Sequence, residues 1–467
     1  MSGWNSLSSL VTEELRQSLE EGKPPSAVDA IRAQWQSGKI DADGALDALQ
    51  SLPVSTEWLE PSDLEGIQAA RPPAGTPQPH LPDHLQDRIQ AAWLGRCIGC
   101  ALGKPLELIG LRGPQQDGID PWIRIKKYLE GVSPSEWPIH DYIPRNPAAD
   151  SDPEIGAPMP CESFRDTIHG METDDDIRYM VVALEVLERH GFDFLPWHVA
   201  DTWMSLLPYK AVCTAETQAY RNLVGRYEFH FSSDFGKTIP PVDWHWITHH
   251  HNPYREWIGA QIRIDVLAYA AAGNPPLAAE LAWRDASISH VKNGIYGAMF
   301  CAAMIAAAFS SPSPASIIQA GLAEIPAHSR LAAAIRKTIT TIEREKFGPS
   351  DFEAVFSWLH QHFGHYDPVH TIPNAALCAA AVLLGQGDFE KSVTIAVMGG
   401  WDTDCNGATV GSIAGALNGL TGIPGRWSAP LHDTLKSSIA GTHPIPISEC
   451  ARRTFAVIGS ATNRVAP

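Results

Sequence analysis

Two short runs of carboxylates are the residues in this chain whose type and spacing could do chemistry. Asp402 and Asp404 follow Gly399, Gly400 and Trp401, and they open a stretch in which Gly407, Gly411, Gly415 and Gly419 recur every fourth residue. Asp174, Asp175 and Asp176 follow Thr173 at the head of an apolar run. Buried carboxylates persist only when paired, protonated or bound to a cation. Asp and Thr also cap helices and complement the helix dipole. Capping accounts for one or two acids in a run, not for three together. Two such runs in one chain point to a site for hard cations such as Mg²⁺, Mn²⁺ or Ca²⁺. The segment from Asp402 to Gly407 begins like an EF-hand loop. That loop needs a bidentate Glu at its twelfth position, which here is Ile413.

The elements that must hold these acids are helices. Glycine every fourth residue puts one stripe on one helix face. Each costs about 1 kcal/mol against Ala, so close backbone approach by another element is the expected return. Helical apolar spacing runs through 85–102, 172–190, 258–272, 276–289, 295–309, 313–324, 330–346, 351–362, 371–384, 389–398 and 406–420. Residues 110–165, rich in Pro, Gly and Asp, read as a long irregular segment. Strand alternation is scarce, so the chain reads as all-α. One large domain is expected over 83–467. Residues 1–80 form a small helical extension of unassigned role, with helices near 11–20, 27–36 and 42–49. A proline-rich linker at 71–82 joins the two.

The chain has 467 residues and a net charge of −18. Such a surface repels phosphate backbones, so nucleic acid is not an expected partner. No apolar run reaches the ~18 residues of a membrane span. No secretory signal is visible, and eight scattered cysteines fit reduced thiols in a cytoplasm. Cys97 and Cys100 read as small buried thiols on a helix. His249, His250 and His251 are consecutive and cannot all face one ion on a regular element, so they read as a surface or pocket-lining loop. His290 reads as a structural histidine, with a substrate contact as the second reading.

Three segments together resemble the ADP-ribosylglycohydrolase family, which includes the dinitrogenase-reductase-activating glycohydrolases. They are the helix from Asp87 through Gly95 and Gly99 to Gly103 and Glu107, the acidic run at 173–176, and Gly400 to Gly419. Weaker matches are Gly259 to Arg263 and Ser289-His290. The register at 174–176 is preferred over 173–175 because it places Tyr179 and Leu187 on core positions. Three departures mark a divergent branch. Cys405 stands where the family has Thr, Cys100 where it has Asp, and Ile258-Gly259 where it has Asn-Gly.

The resemblance implies a compact all-α fold and two divalent cations, Mg²⁺ or Mn²⁺, held by Asp174, Asp175, Asp176, Asp402 and Asp404. It implies hydrolysis of an N- or O-ribosyl bond, releasing ADP-ribose from a modified residue or small ligand. The cations would grip ribose hydroxyls and activate a water for attack at the anomeric carbon. Asp175 or Asp402 would serve as base, and Glu107 would position substrate or donate a proton. Thr173, Arg263, His290, Gly400, Trp401, Cys405 and Asn406 are the expected substrate contacts. Two other functions stay open: hydrolysis of a smaller nucleoside or other N-glycoside, and a non-catalytic binding or structural role. Oligomeric state is not legible.

Overall fold

The structure is a computed structural model of the chain. It describes all residues except 1, 74–82, 115–116, 227–240, 312 and 466–467. In chain order the helices are α1 (Leu7–Glu20), α2 (Pro25–Gln36), α3 (Ala42–Gln50), α4 (Leu64–Ala70), α5 (Leu85–Gly103), α6 (Glu107–Gly110), α7 (Pro121–Glu130) and α8 (Asp175–His190). There follow α9 (Pro196–Leu206), α10 (Thr214–Arg226), α11 (Trp244–His249), α12 (Asp265–Ala270), α13 (Pro275–Ala286), α14 (Lys292–Ala308) and α15 (Pro314–Ala323). The last are α16 (Arg330–Glu345), α17 (Phe352–Phe363), α18 (Thr371–Gly385), α19 (Phe389–Met398), α20 (Thr403–Asn418), α21 (Gly425–Ser428) and α22 (Ile447–Val465). Strand is confined, among the described residues, to one antiparallel pair, β1 (Thr434–Leu435) with β2 (Ile445–Pro446). The all-α expectation holds.

The pair α5–α20 is the axis of the molecule. Gly95, Gly99 and Gly103 of α5 face Gly411, Gly407 and Thr403 of α20, so the helices run antiparallel. A Cβ added to Gly99 would overlap the Gly407 carbonyl, and one added to Gly407 would overlap the Gly99 carbonyl. Gly95 and Gly411 show the same reciprocity, and Gly415 abuts Ala91. The stripe in α20 thus gains the close approach that its spacing implied, and α5 is the partner. Around the pair lie α14 and α18, buried almost all round. An α-helix apolar on every face is the signature of a core element.

Two local expectations change. The segment 110–165 contains α7, whose Trp122, Ile125, Tyr128 and Leu129 form one buried face behind Pro121 at the first helical position. The helix expected over 258–272 is broken into a 3₁₀ turn (Ile258–Arg263) and α12. The break has a cause: the Arg96 guanidinium takes the Ile262 carbonyl as an acceptor and withdraws it from a helical ladder.

The N-terminal helices pack on the rest of the chain. Leu10, Val11, Leu46 and Leu49 share an apolar cluster with Ala215, Tyr254 and Trp257. Beside it lies a buried ionic seam. Arg255 donates to Glu14 at 2.6 Å and to Glu21 at 2.9 Å. Arg330 donates to Glu60 at 2.8 Å and to Glu256 at 2.6 Å, and Gln17 reaches Glu256 at 2.9 Å. Most of the expected linker, 74–82, lies outside the described residues.

The glycine contact gives a direct test. Gly99→Ala places a methyl group against backbone that cannot rotate away, and should lower unfolding free energy by about 3 kcal/mol, the upper end of core overpacking. Gly425→Ala meets no described atom within 4 Å and should change stability by less than about 1 kcal/mol. Urea denaturation of both variants checks this; equal effects would contradict the close-packed pair.

Candidate metal centre

Three helix termini converge on the acids. The α8 end is shaped by Asp174, the N-cap, whose carboxylate accepts the Asp176 amide N–H at 2.9 Å. The α20 end is shaped by a left-handed turn, with φ of +81° at Gly400 and +57° at Trp401. A Cβ at Gly400 would sit 2.7 Å from Pro121. A bulky residue at positive φ is unusual. Trp401 is held there because its buried ring stacks on His360 at 4.1 Å, and His360 Nε2 donates to the Gly399 carbonyl at 2.8 Å. The α5 end continues through Lys104 into α6, which Glu107 opens. The Gly103–Thr403 contact sets that end beside Asp404.

The acids meet. Ligand atoms of Cys100, Asp174, Asp176 and Asp404 lie within 4.8 Å of one another, as do those of Asp402, Asp404 and Cys405. Asp174, Asp176, Asp402 and Asp404 are buried, whereas Asp175 and Glu107 are partly exposed. Lys104 pairs with Asp174. Arg96 bridges Asp176 at 2.9 Å and Asp265 at 2.6 Å. The Cys405 thiol donates to Asp176 Oδ2 at 3.0 Å. Asp404 Oδ1 is buried with no hydrogen-bond partner.

The electrostatics show unmet charge. Burial, then the neighbouring Asp404, pushes the Asp402 carboxyl well above the ordinary range. Burial and Asp174 raise Asp404. Burial raises Asp176 against the opposing pull of Arg96. Burial and Asp174 raise Asp175 to about 7. Burial and Asp404 raise Glu107. Asp174 alone is lowered: burial opposes its charge, but Lys104 more than offsets that. Asp174, Asp175, Asp176, Asp265, Asp402, Asp404 and Glu107 thus share Lys104, Arg96 and Arg178 as the cations named among their influences. The orphaned Asp404 oxygen and the carboxylate-rich donor set fit a divalent cation.

The expected substrate contacts fare differently. Thr173 is exposed, with its hydroxyl paired to Ser438 and Arg178 rather than to the cluster. Arg263 is a buried strut: it binds Asp285, Glu216 at 2.7 Å and Ser289 at 2.8 Å, so every guanidinium nitrogen is engaged by protein. Asn406 is likewise taken up, donating to Asn374 at 2.7 Å and accepting from Cys378 at 3.3 Å. Trp401 is a core residue. Glu107 stands on a helical turn, not a free loop. His290 is buried and shares a hydrogen bond with Ser289 through Nδ1; its Nε2 has no partner, and the ring lines a cavity of about 450 Å³ with Trp244 and Trp283. His249 lines the same cavity, and His250 and His251 approach Asp47 instead.

Three contributors, Lys104, Arg96 and Asn374, escaped the sequence reading, and Cys100 figures there only as a buried thiol standing where the family has Asp. Lys104, Arg96 and Cys100 come from α5 or the turn after it. Asn374 of α18 accepts from the Asp402 amide at 3.2 Å and donates to the Pro368 and His370 carbonyls, which pins the turn. Asn374 carries no local motif. Cys100 follows Gly99 and Lys104 follows Gly103, and both had a signal there: polar or reactive residues beside a forced close contact.

The raised carboxyls set a pH dependence for the cation-free protein. Asp175 keeps a proton in the folded state between about pH 4 and about 7 that the unfolded chain has released, and the other raised acids act in the same direction. Folded stability therefore falls as pH rises through that window. In EDTA the melting temperature should rise from pH 8 to pH 6. With Mn²⁺ added it should be higher throughout, and most so at pH 8. Melting curves that ignore both EDTA and Mn²⁺ would contradict a cation-holding cluster.

A family description, ADP-ribosylglycohydrolase, matches residues 81–458. No curated protein matches the chain. Among solved structures, one described as an ADP-ribosylglycohydrolase-related protein complex is similar, with 21% identity over 80% of this chain and 98% of its own, and a TM-score of 0.46. With the match spanning nearly all of the chain from α5 to α22, the protein belongs to the ADP-ribosylglycohydrolase family.

Proposed function

We propose that the chain is a hydrolase of N- or O-ribosyl bonds that releases ADP-ribose from a modified residue or small ligand, using two divalent cations, Mg²⁺ or Mn²⁺. Within its family it reads as a divergent branch whose motifs resemble those of the dinitrogenase-reductase-activating glycohydrolases. The observation that carries this reading is the convergence of six acids at three helix termini, with more negative charge than Lys104, Arg96 and Arg178 balance. A scaffold protein has no use for so costly a cluster.

Asp174, Asp176, Asp402 and Asp404 would hold the cations, with Asp175 at the rim. Bound there, the cations supply Lewis-acid polarisation of the sugar hydroxyls and of a water. The remaining work falls to side chains. Asp175 and Glu107 are the acids of the group that solvent reaches, so they face substrate. Asp175 takes the proton of the attacking water. Glu107 holds a proton for the departing atom, as one carboxyl of a glycosidase pair does. Asp402 stays oriented through the Asn374 contact to its amide. Lys104 keeps Asp174 charged and in place, and Arg96 holds Asp176 in position.

Mass spectrometry of ADP-ribosyl-arginine and ADP-ribosyl-serine peptides tests the reading, with a nucleoside panel alongside. Free ADP-ribose should appear from at least one peptide. Glu107→Gln should lower kcat by about 100-fold or more while metal content stays at the wild-type value. Turnover of nucleosides alone would move the assignment to smaller N-glycosides. No turnover of either class in Mg²⁺ or Mn²⁺ would overturn it.

A further inference from the structure

The two thiols of the cluster are not equivalent. Cys405 donates its S–H to Asp176 Oδ2 and is thereby satisfied. Cys100 is fully buried on α5, its sulfur lies within 4.8 Å of oxygens of Asp174, Asp176 and Asp404, and among the described residues its thiol makes no hydrogen bond. A thiol that merely filled space among carboxylates would turn its proton toward one of them, as Cys405 does. Asp404 contributes an oxygen to the same group, and its Oδ1 is buried without a partner. The cluster thus holds an unused sulfur and an unused carboxylate oxygen. Glycine packing holds them there, because Gly99 and Gly103 on either side of Cys100 are in backbone contact with α20.

The geometry points to Cys100 as a metal ligand, completing with Asp174, Asp176 and Asp404 a one-sulfur, three-oxygen site that takes a borderline divalent ion (Fe²⁺, Co²⁺ or Zn²⁺) in preference to Mg²⁺. This rests on reading the cluster as a cation site and replaces Mg²⁺ or Mn²⁺ with a borderline ion at one of its two positions, the other keeping the hard ion. On ligation the S–H bond breaks, the proton passes to bulk water, and a sulfur lone pair forms the metal–sulfur bond; nothing is oxidised or reduced. A sulfur donor strengthens binding along the first-row series and contributes little to a hard ion that retains its waters. Cys405 stays a neutral hydrogen-bond donor and holds Asp176 in position for the same ion.

Co²⁺ added to EDTA-treated, reduced full-length protein tests the assignment without reference to activity. The wild type should show a sulfur-to-cobalt charge-transfer band in the near ultraviolet that survives about a hundredfold excess of Mg²⁺. Cys100→Ser should lose the band, and Cys405→Ser should retain it. Co²⁺ bound at the protein by equilibrium dialysis but without the band in the wild type would overturn the cysteine ligand and leave the cation site standing. No bound Co²⁺, Mg²⁺ or Mn²⁺ by dialysis would overturn both. A band that persists in Cys100→Ser and vanishes in Cys405→Ser would overturn the choice of thiol. The wild-type spectrum decides the matter even if a variant fails to fold.

Discussion

The backbone contact between α5 and α20 is the constraint on which the rest of the molecule depends. Gly95, Gly99 and Gly103 on one helix and Gly407, Gly411 and Gly415 on the other leave no room for a single methyl group at the seam. Side-chain packing tolerates small slips; carbonyls against Cα atoms do not. The contact therefore fixes the axial register of the two helices. Register decides what stands at the end: Cys100, Lys104 and Glu107 from one chain segment, Asp402 and Asp404 from another 300 residues away. A shift of one helical turn would carry Lys104 and Glu107 about 5 Å from the acids they face.

That precision is spent on holding like charges together. Without a cation the acids can stay buried only by keeping protons, as the raised carboxyls of Asp175, Asp176, Asp402, Asp404 and Glu107 indicate. Breaking a buried ion pair costs several kcal/mol, and the protein supplies only part of the counter-charge, through Lys104 and Arg96. The second layer is made of neutral amides and hydroxyls. Asn374 fixes the turn at Asp402, and Ser412 reaches the Asp265 that shares Arg96. The N-terminal seam comes near the same region where the Thr371 amide donates to the Glu256 carbonyl at 3.2 Å, next to His370, whose carbonyl accepts from Asn374. The extension is thus joined to the centre by a short chain of buried polar contacts.

The sequence discloses the parts of this arrangement that are local. Helical periodicity locates most long helices, and acids ahead of an apolar run mark helix starts at 174 and 402. The glycine stripe announces close approach. What it approaches is not written locally, because α5 and α20 are partners through tertiary structure alone. Arg96 sits in the middle of α5 and Asn374 in the first turn of α18, and their roles arise only when α12, α8 and α20 arrive beside them. α7 escaped notice because its short amphipathic face is surrounded by prolines and glycines, and the strength of a periodic signal grows with length. Arg263 misleads for a related reason: an arginine in a matching motif says nothing about which carboxylates will bury it.

Anomalous scattering from a crystal soaked in Mn²⁺ would show whether the register set by the glycine seam builds a site for two divalent cations among these acids. Two peaks are expected, one bordered by Cys100, Asp174, Asp176 and Asp404 and the other by Asp402, Asp404 and Cys405. A soaked crystal in which the acids keep their places and no peak lies among them would contradict such a site.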